Sequence, residues 1–277
     1  MIIDFHTHIF PPEVRSRRGD YLERDVTFAE MYSSPKAKVA VAEDLAASME
    51  GADVRVSVAL GFAWREHEMV VRHNDYLLET QMRGEGRIIP FCTINMTDER
   101  AEAEIERVAA AGARGLGELR PESQGWDLNG AAGERLAELA LKHNLILMFH
   151  VTEPAGHQYP GKYGLSLSSF VRFAAAHRNV ATVGAHFGGG MPFFLESEVR
   201  DTVSRVAVDT AARGYLYTPA EYRLATTRLP GRVLFGSDYP LVPQKKDIQA
   251  LRDDSHDPAV LDAVLGGNAA RLLGIEA

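Results

Sequence analysis

The chain has 277 residues, 45% of them hydrophobic and 25% charged, with a formal net charge of −8. An acidic balance argues against a nucleic-acid or anionic-membrane surface, and no apolar run approaches the roughly 20 residues needed to span a bilayer. The single cysteine, Cys92, excludes an internal disulfide and reads as a small core residue in the apolar stretch IIPFCTI. A reducing, cytoplasmic location is expected, since no basic n-region precedes an apolar segment as in a signal peptide.

In chain order, short apolar runs alternate with amphipathic stretches. MIIDF (1–5) reads as a strand, and 36–50 as a helix with Val39, Ala42, Leu45, Ala46 and Met49 at helical spacing. Strand 53–60 precedes helix 66–83; strand 87–94 precedes helix 98–111; strand 113–119 precedes helix 130–143. Strand 144–150, helix 165–177, strand 179–186 and helix 191–200 follow, then strand 204–210, helix 219–229 and strand 232–238. Helices at 257–265 and 268–273 close the order. Strands that are apolar throughout suit a sheet buried on both faces, and strict alternation with helices implies parallel strands joined by crossovers. Eight such units predict a (β/α)8 TIM barrel, with an open doubly wound sheet as the alternative. No composition break divides residues 1–277, so a single domain is expected, with two longer excursions at 11–35 and 151–164.

In a barrel of this kind the site lies at the C-terminal ends of the strands. Strand 1 ends in His6-Thr7-His8, strand 4 in Glu118, strand 5 in His150, strand 6 in His186 and strand 8 in Asp238. Side chains alternate along a strand, so His6 and His8 share a face and can converge on one ion. Neutral imidazole binds zinc and other divalent transition metals, and three protein ligands with one open position make a catalytic arrangement. His150 offers the third ligand and Asp238 a fourth. Taken singly, each has an ordinary structural reading; Glu118, for example, can pair with Arg120 or Arg114. The joint pattern is what points to a metal site.

After strand 2, the segment GFAWREHEMVVRHNDY carries Trp64, Arg65 and His73, read as candidate substrate-binding residues. Arg65 can clamp a substrate carboxylate through both nitrogens of its fork. His157 and Tyr159 lie in the excursion after strand 5, where a lid can form, and Asp209 at the end of strand 7 can orient a ligand from behind.

The stretches DFHTHIFPP, GARGLGELRPE, MFHVTEP, GAHFGGGMPF, LFGSDYPL and GNAARLLGI resemble the amidohydrolase superfamily, in its amidohydrolase-related (amidohydrolase 2) group of metal-dependent hydrolases and non-oxidative decarboxylases. The resemblance runs from residue 4 to residue 275. It implies a (β/α)8 barrel with one or two divalent ions, zinc first and manganese as the alternative. It makes His6, His8, His150 and Asp238 metal ligands and places His186 at or beside the metal. Glu118 matches the strand-four carboxylate ligand of TatD-like deoxyribonucleases; other members carry a carboxylated lysine there, which this chain lacks. HFGGGMPF is similar to the strand-six segment of aminocarboxymuconate semialdehyde and resorcylate-type decarboxylases. The expected activity is hydrolysis of a small ester, lactone or amide, with Asp238 and His186 catalytic. The alternative is decarboxylation of a small unsaturated or aromatic acid, and a barrel that binds a metal without turnover is the non-enzymatic reading. The expected partner is a small-molecule substrate, with a homo-oligomer compatible with the sequence.

Overall fold

The computed structural model describes residues 1–84, 86–194 and 205–276. Its strands are β1 (Ile3–His8), β2 (Val56–Leu60), β3 (Ile88–Cys92), β4 (Gly115–Leu119), β5 (Ile146–Phe149), β6 (Val151–Thr152), β7 (Leu165–Ser166), β8 (Thr182–Gly184), β9 (Ala207–Asp209) and β10 (Val233–Leu234). Eight of them form one parallel sheet in the order β1-β2-β3-β4-β5-β8-β9-β10, with helices between them. Backbone hydrogen bonds close the remaining edge. The N–H of Phe5 donates to the Phe235 carbonyl at 2.7 Å, that of Asp238 to His6 at 3.0 Å, and that of His8 to Tyr239 at 2.7 Å. The expected (β/α)8 barrel is therefore the fold, and each barrel strand lies on one of the eight apolar runs. β6 and β7 pair separately and frame the excursion after β5.

The barrel interior is filled by Phe5, Val58, Phe91, Met148, Val183 and Leu234, joined by Ala269, Ala270 and Leu273 of the last helix, Asn268–Leu273. The Phe5 and Phe91 rings meet edge-on with centroids 5.5 Å apart. Burying each large side chain contributes about 1.5–3 kcal/mol, which fixes the strand ends that carry polar groups. A second, larger core lies between barrel and helices and includes Leu45, Leu77, Ile105, Leu136, Phe173 and the buried Cys92.

Differences from expectation fall outside the barrel strands. The excursion 11–35 folds into three helices, Pro12–Ser16, Arg18–Arg24 and Val26–Tyr32. The helix expected from 36 starts at Ala42, with the Asp44 carboxylate accepting the Val41 N–H at 3.0 Å. A helix at Gln244–Asp254 has no counterpart in the pattern reading, because its buried positions include Gln244 and Asp247 as well as Ile248 and Leu251. Of the helix expected over 191–200, Met191–Phe193 forms a single tight turn, and residues 195–200 lie outside the described residues. Among the described residues no helix is long and apolar enough to cross a membrane.

Candidate metal centre

Strand parity alone would send His6 the wrong way. Ile3 and Phe5 point into the barrel while Asp4 points out, to Ser237 and Gln244 of the surrounding layer. Strict alternation would put His6 and His8 with Asp4. The β1–β2 register shifts between Asp4 and Thr7, however. Thr7 faces outward, its hydroxyl donating to the Val58 carbonyl at 2.7 Å, and both histidines reach the mouth. The β4–β5 register shifts likewise between Leu116 and Leu119 and turns Glu118 inward. Bulges that re-aim one side chain are common beside active sites.

Two further ligand positions depend on left-handed backbone. His186, Phe187, Gly188, Gly189 and Gly190 have φ of 58°, 54°, 58°, 66° and 83°. Left-handed geometry costs about 1–2 kcal/mol at a residue with a Cβ and little at glycine, which accounts for the run GGG. The strained His186 is held by its own N–H donating to Asp209 Oδ1 at 2.8 Å and by the Tyr217 hydroxyl donating to its carbonyl at 3.2 Å. Asp238 also lies in this region, at φ 62°. Such strain persists where the surroundings over-determine it, typically at functional sites.

These elements bring six side chains into two adjoining groups, His6, His8 and Asp238 on one side and Glu118, His150 and His186 on the other. In the first, His6 Nε2 lies 3.0 Å from His8 Nε2, and Asp238 Oδ1 lies 3.5 Å from each. In the second, Glu118 Oε1 lies 3.0 Å from His150 Nδ1 and 3.5 Å from His186 Nε2, and these two nitrogens are 3.2 Å apart. Glu118 joins the halves, with Oε1 3.9 Å from His6 Nε2 and Oε2 4.0 Å from His8 Nε2. Two nitrogens bound to one tetrahedral ion at about 2.0–2.1 Å stand roughly 3.3 Å apart. The spacing inside each half fits an ion.

The electrostatics agree. His6 is fully buried, which disfavours its charge, yet Asp209, Asp238 and Glu118 outweigh burial and push it up to about 10. His186 is likewise pushed up to about 9, chiefly by Glu118 against burial. His150, where burial and the Arg120 charge dominate, falls to about 4. Burial would raise Glu118 and Asp238, but the surrounding imidazoles hold both carboxyls below the ordinary range. A buried pocket of carboxylates and imidazoles that favours positive charge this strongly suits a divalent cation.

Behind the ligands, His6 Nδ1–H donates to Asp209 Oδ2 at 2.8 Å and His186 Nδ1–H to the Ala211 carbonyl at 3.0 Å. These partners leave the Nε2 lone pairs facing the centre, a support typical of metal-bound histidine. Asp4 ties β1 to β10, accepting the N–H groups of His6 and Ser237 and the amide of Gln244. The ligands are buried except on one side, where His8 and Asp238 keep 11% and 15% side-chain exposure and form the open rim.

The structure does not gather the other expected residues here. Arg65 is exposed, its Nε–H donating to the Ser123 carbonyl at 2.8 Å. Trp64 and His73 lie inside an aromatic cluster with Phe10, Phe28 and Phe62. There the Trp64 indole N–H donates to His73 Nδ1 at 3.0 Å and His73 Nε2–H to the Ile9 carbonyl at 2.8 Å. Glu118 pairs with neither arginine; Arg114 bonds the Leu273 carbonyl. Arg120 escaped the sequence reading except as a candidate partner for Glu118. Its signal was its place two residues beyond Glu118, directly after the strand.

The sequence model of the amidohydrolase family matches residues 3–275, and the chain belongs to that family. No curated protein matches it. Among solved structures it is similar to the 5-carboxyvanillate decarboxylase LigW of Sphingomonas paucimobilis, with a TM-score of 0.79, 19% identity and 99% of each chain covered. It is also similar to a dihydroxybenzoic acid decarboxylase of a Polaromonas species with bound manganese, with a TM-score of 0.74, 16% identity, and 99% of this chain and 96% of that one covered. An Acinetobacter baumannii chain assigned as a 2-pyrone-4,6-dicarboxylic acid hydrolase, with citric acid bound, gives a TM-score of 0.65, 14% identity and 99% of each chain covered. At these identities the likeness establishes the fold.

Proposed function

We propose that this amidohydrolase family member is a metal-dependent hydrolase of a small ester, lactone or amide, built around two divalent ions. The observation that carries this reading is the place of the Glu118 carboxylate between the two groups, with Oε1 3.0 Å from His150, 3.5 Å from His186 and 3.9 Å from His6, and Oε2 4.0 Å from His8. His6, His8 and Asp238 would hold one ion, His150 and His186 the other, and Glu118 both. The imidazole-rich donor set suits zinc, and manganese is the alternative. Bound ions of this kind lower the pKa of water from 15.7 towards 7 and polarise a carbonyl oxygen.

The chain's own groups do the rest. Asp238, at the open rim, takes the proton of the attacking water on its carboxylate and delivers it to the leaving group. His186 fixes the far wall through its Nδ1–H bond to Ala211 and, where only one ion is held, is free to stabilise the oxyanion. The buried floor of Phe5, Phe91 and Met148 excludes water from below.

The second reading is non-oxidative decarboxylation by the same donor set, favoured by the names of two structural relatives. Metal-loaded protein offered ester, lactone and amide substrates beside aromatic acids separates the two. Acid release supports hydrolysis, and release of carbon dioxide from the acids without ester cleavage replaces it with a lyase.

A further inference from the structure

Arg120 is 2% exposed, and among the described residues no carboxylate pairs with it. Among the described residues the other buried arginine, Arg213, differs in being met by carboxylates, with Asp254 at 2.6 Å, Asp247 at 3.6 Å and the Tyr222 ring beneath it, although its own Nε–H lacks a hydrogen bond. Arg120 instead places Nη1 3.1 Å from the Met31 sulfur, a weak acceptor, and Nη2 on the backbone carbonyls of Gly161 (2.7 Å) and Tyr163. Its Nε–H is buried without a partner. A buried cation left on a thioether and two carbonyls is costly to keep, and a planar fork with a spare donor matches a carboxylate.

Its position says where that carboxylate sits. Arg120 directly follows β4, two residues from Glu118, and it bonds the carbonyl of Tyr163, whose neighbour Gly164 packs so closely on the His150 ring that a Cβ there would stand 2.6 Å from it; its charge acts on both Glu118 and His150. The groups that cover it come from the two excursions. Met31 belongs to the first, and Gly161 and Tyr163 to the second, where the Gly161 N–H is tied back to Glu30 at 2.9 Å. The backbone carbonyls are neutral partners, which an incoming anion can replace.

We propose that Arg120 is the anchor for a carboxylate carried by the substrate away from its reacting bond, making the substrate class small esters, lactones or amides that bear a free acid. The assignment rests on the metal-centre reading above. Arg120 would bind and orient; it would not take part in bond breaking.

The test is calorimetric binding of benzoate and isophthalate to the metal-loaded full chain, so that one carboxylate can serve the ions and only isophthalate has a second for Arg120. Isophthalate should bind about 10- to 100-fold tighter than benzoate, with the gap shrinking below about 3-fold in Arg120→Gln and staying intermediate in Arg120→Lys, which lacks the fork. An equal gap in wild type and a folded Arg120→Gln, or no gap in wild type, overturns the proposal. Should Arg120→Gln fail to fold, 3-acetylbenzoate replaces the variant. It keeps the shape, loses the second charge and carries no hydrolysable bond, and binding as tight as isophthalate overturns the anchor. Failure of the hydrolase reading looks different, as a persistent gap with no ester, lactone or amide cleaved.

Discussion

Asp209 accepts the Nδ1–H of His6 at 2.8 Å, and with its other oxygen it accepts the N–H of His186 at 2.8 Å. One buried carboxylate thus sets the tautomer of a ligand on β1 and the strained backbone of a ligand after β8. Asp209→Asn keeps the shape but turns an N–H toward His6, which forces the ring proton onto Nε2, inside the centre. Ion affinity should fall about 10- to 100-fold. Competition against a chelator of known affinity measures it, and an unchanged affinity would remove Asp209 from the support of the centre.

Glu118→Gln tests the bridge. The wild-type chain should carry two ions by elemental analysis, and the variant one, since an amide oxygen supports a second cation poorly. A wild-type value near one ion per chain rejects the paired centre.

The barrel was legible because its strands are buried on both faces and read as largely apolar runs, five of which (strands 1, 4, 5, 6 and 8) end in a residue that has no business in a core. The direction of those end residues was not legible. Whether His6 and Glu118 point in or out turns on register shifts at Asp4–Thr7 and Leu116–Leu119, and a period of two carries no trace of a bulge. Helix Gln244–Asp254 was hidden for a related reason, since Gln244 and Asp247 are buried in a polar layer that an apolar pattern cannot register. Arg65 and Arg120 show the limit for binding residues. Both are arginines near the mouth in sequence, but only packing reveals that one reaches the Ser123 carbonyl at the surface and the other is sealed beneath a loop.

Asp238 and His8 should separate proton transfer from ion binding. Asp238→Asn should lower kcat by about 100- to 10,000-fold while His6 and His8 still hold an ion. His8→Ala should lose that ion along with turnover. Comparable rates for Asp238→Asn and wild type, with ions bound in both, would strip Asp238 of the proton-carrying role.

Gly236 is a packing requirement of the centre. A Cβ there would stand 2.8 Å from the His6 Cβ and 3.2 Å from that of Asp209, neither of which is free to retreat. Gly236→Ala should cost about 1–3 kcal/mol in urea unfolding and weaken ion binding with it. Gly214→Ala, whose methyl meets nothing within 4 Å, is the control and should change stability by no more than about 0.5 kcal/mol.

His73 gives a pH signature from outside the metal centre. Its Nδ1 accepts two N–H groups, from Phe62 at 3.3 Å and Trp64 at 3.0 Å, while Nε2–H donates to the Ile9 carbonyl. Burial, with the nearby His8 adding to it, lowers its pKa from 6.5 to about 4, and a second ring proton would also face both donors. The unfolded chain therefore takes up this proton first as pH drops. The stability owed to neutral His73 is fully present above pH 6.5 and is lost as pH falls from 6.5 toward 4. Between pH 7 and pH 5 the loss should reach about 2 kcal/mol. His73→Gln has no proton to gain, so on metal-stripped protein its unfolding free energy should fall less over that range, by about this amount. Parallel pH profiles for the two chains would mean that His73 is not held neutral, and that the Trp64–His73–Ile9 chain of hydrogen bonds does not form as described.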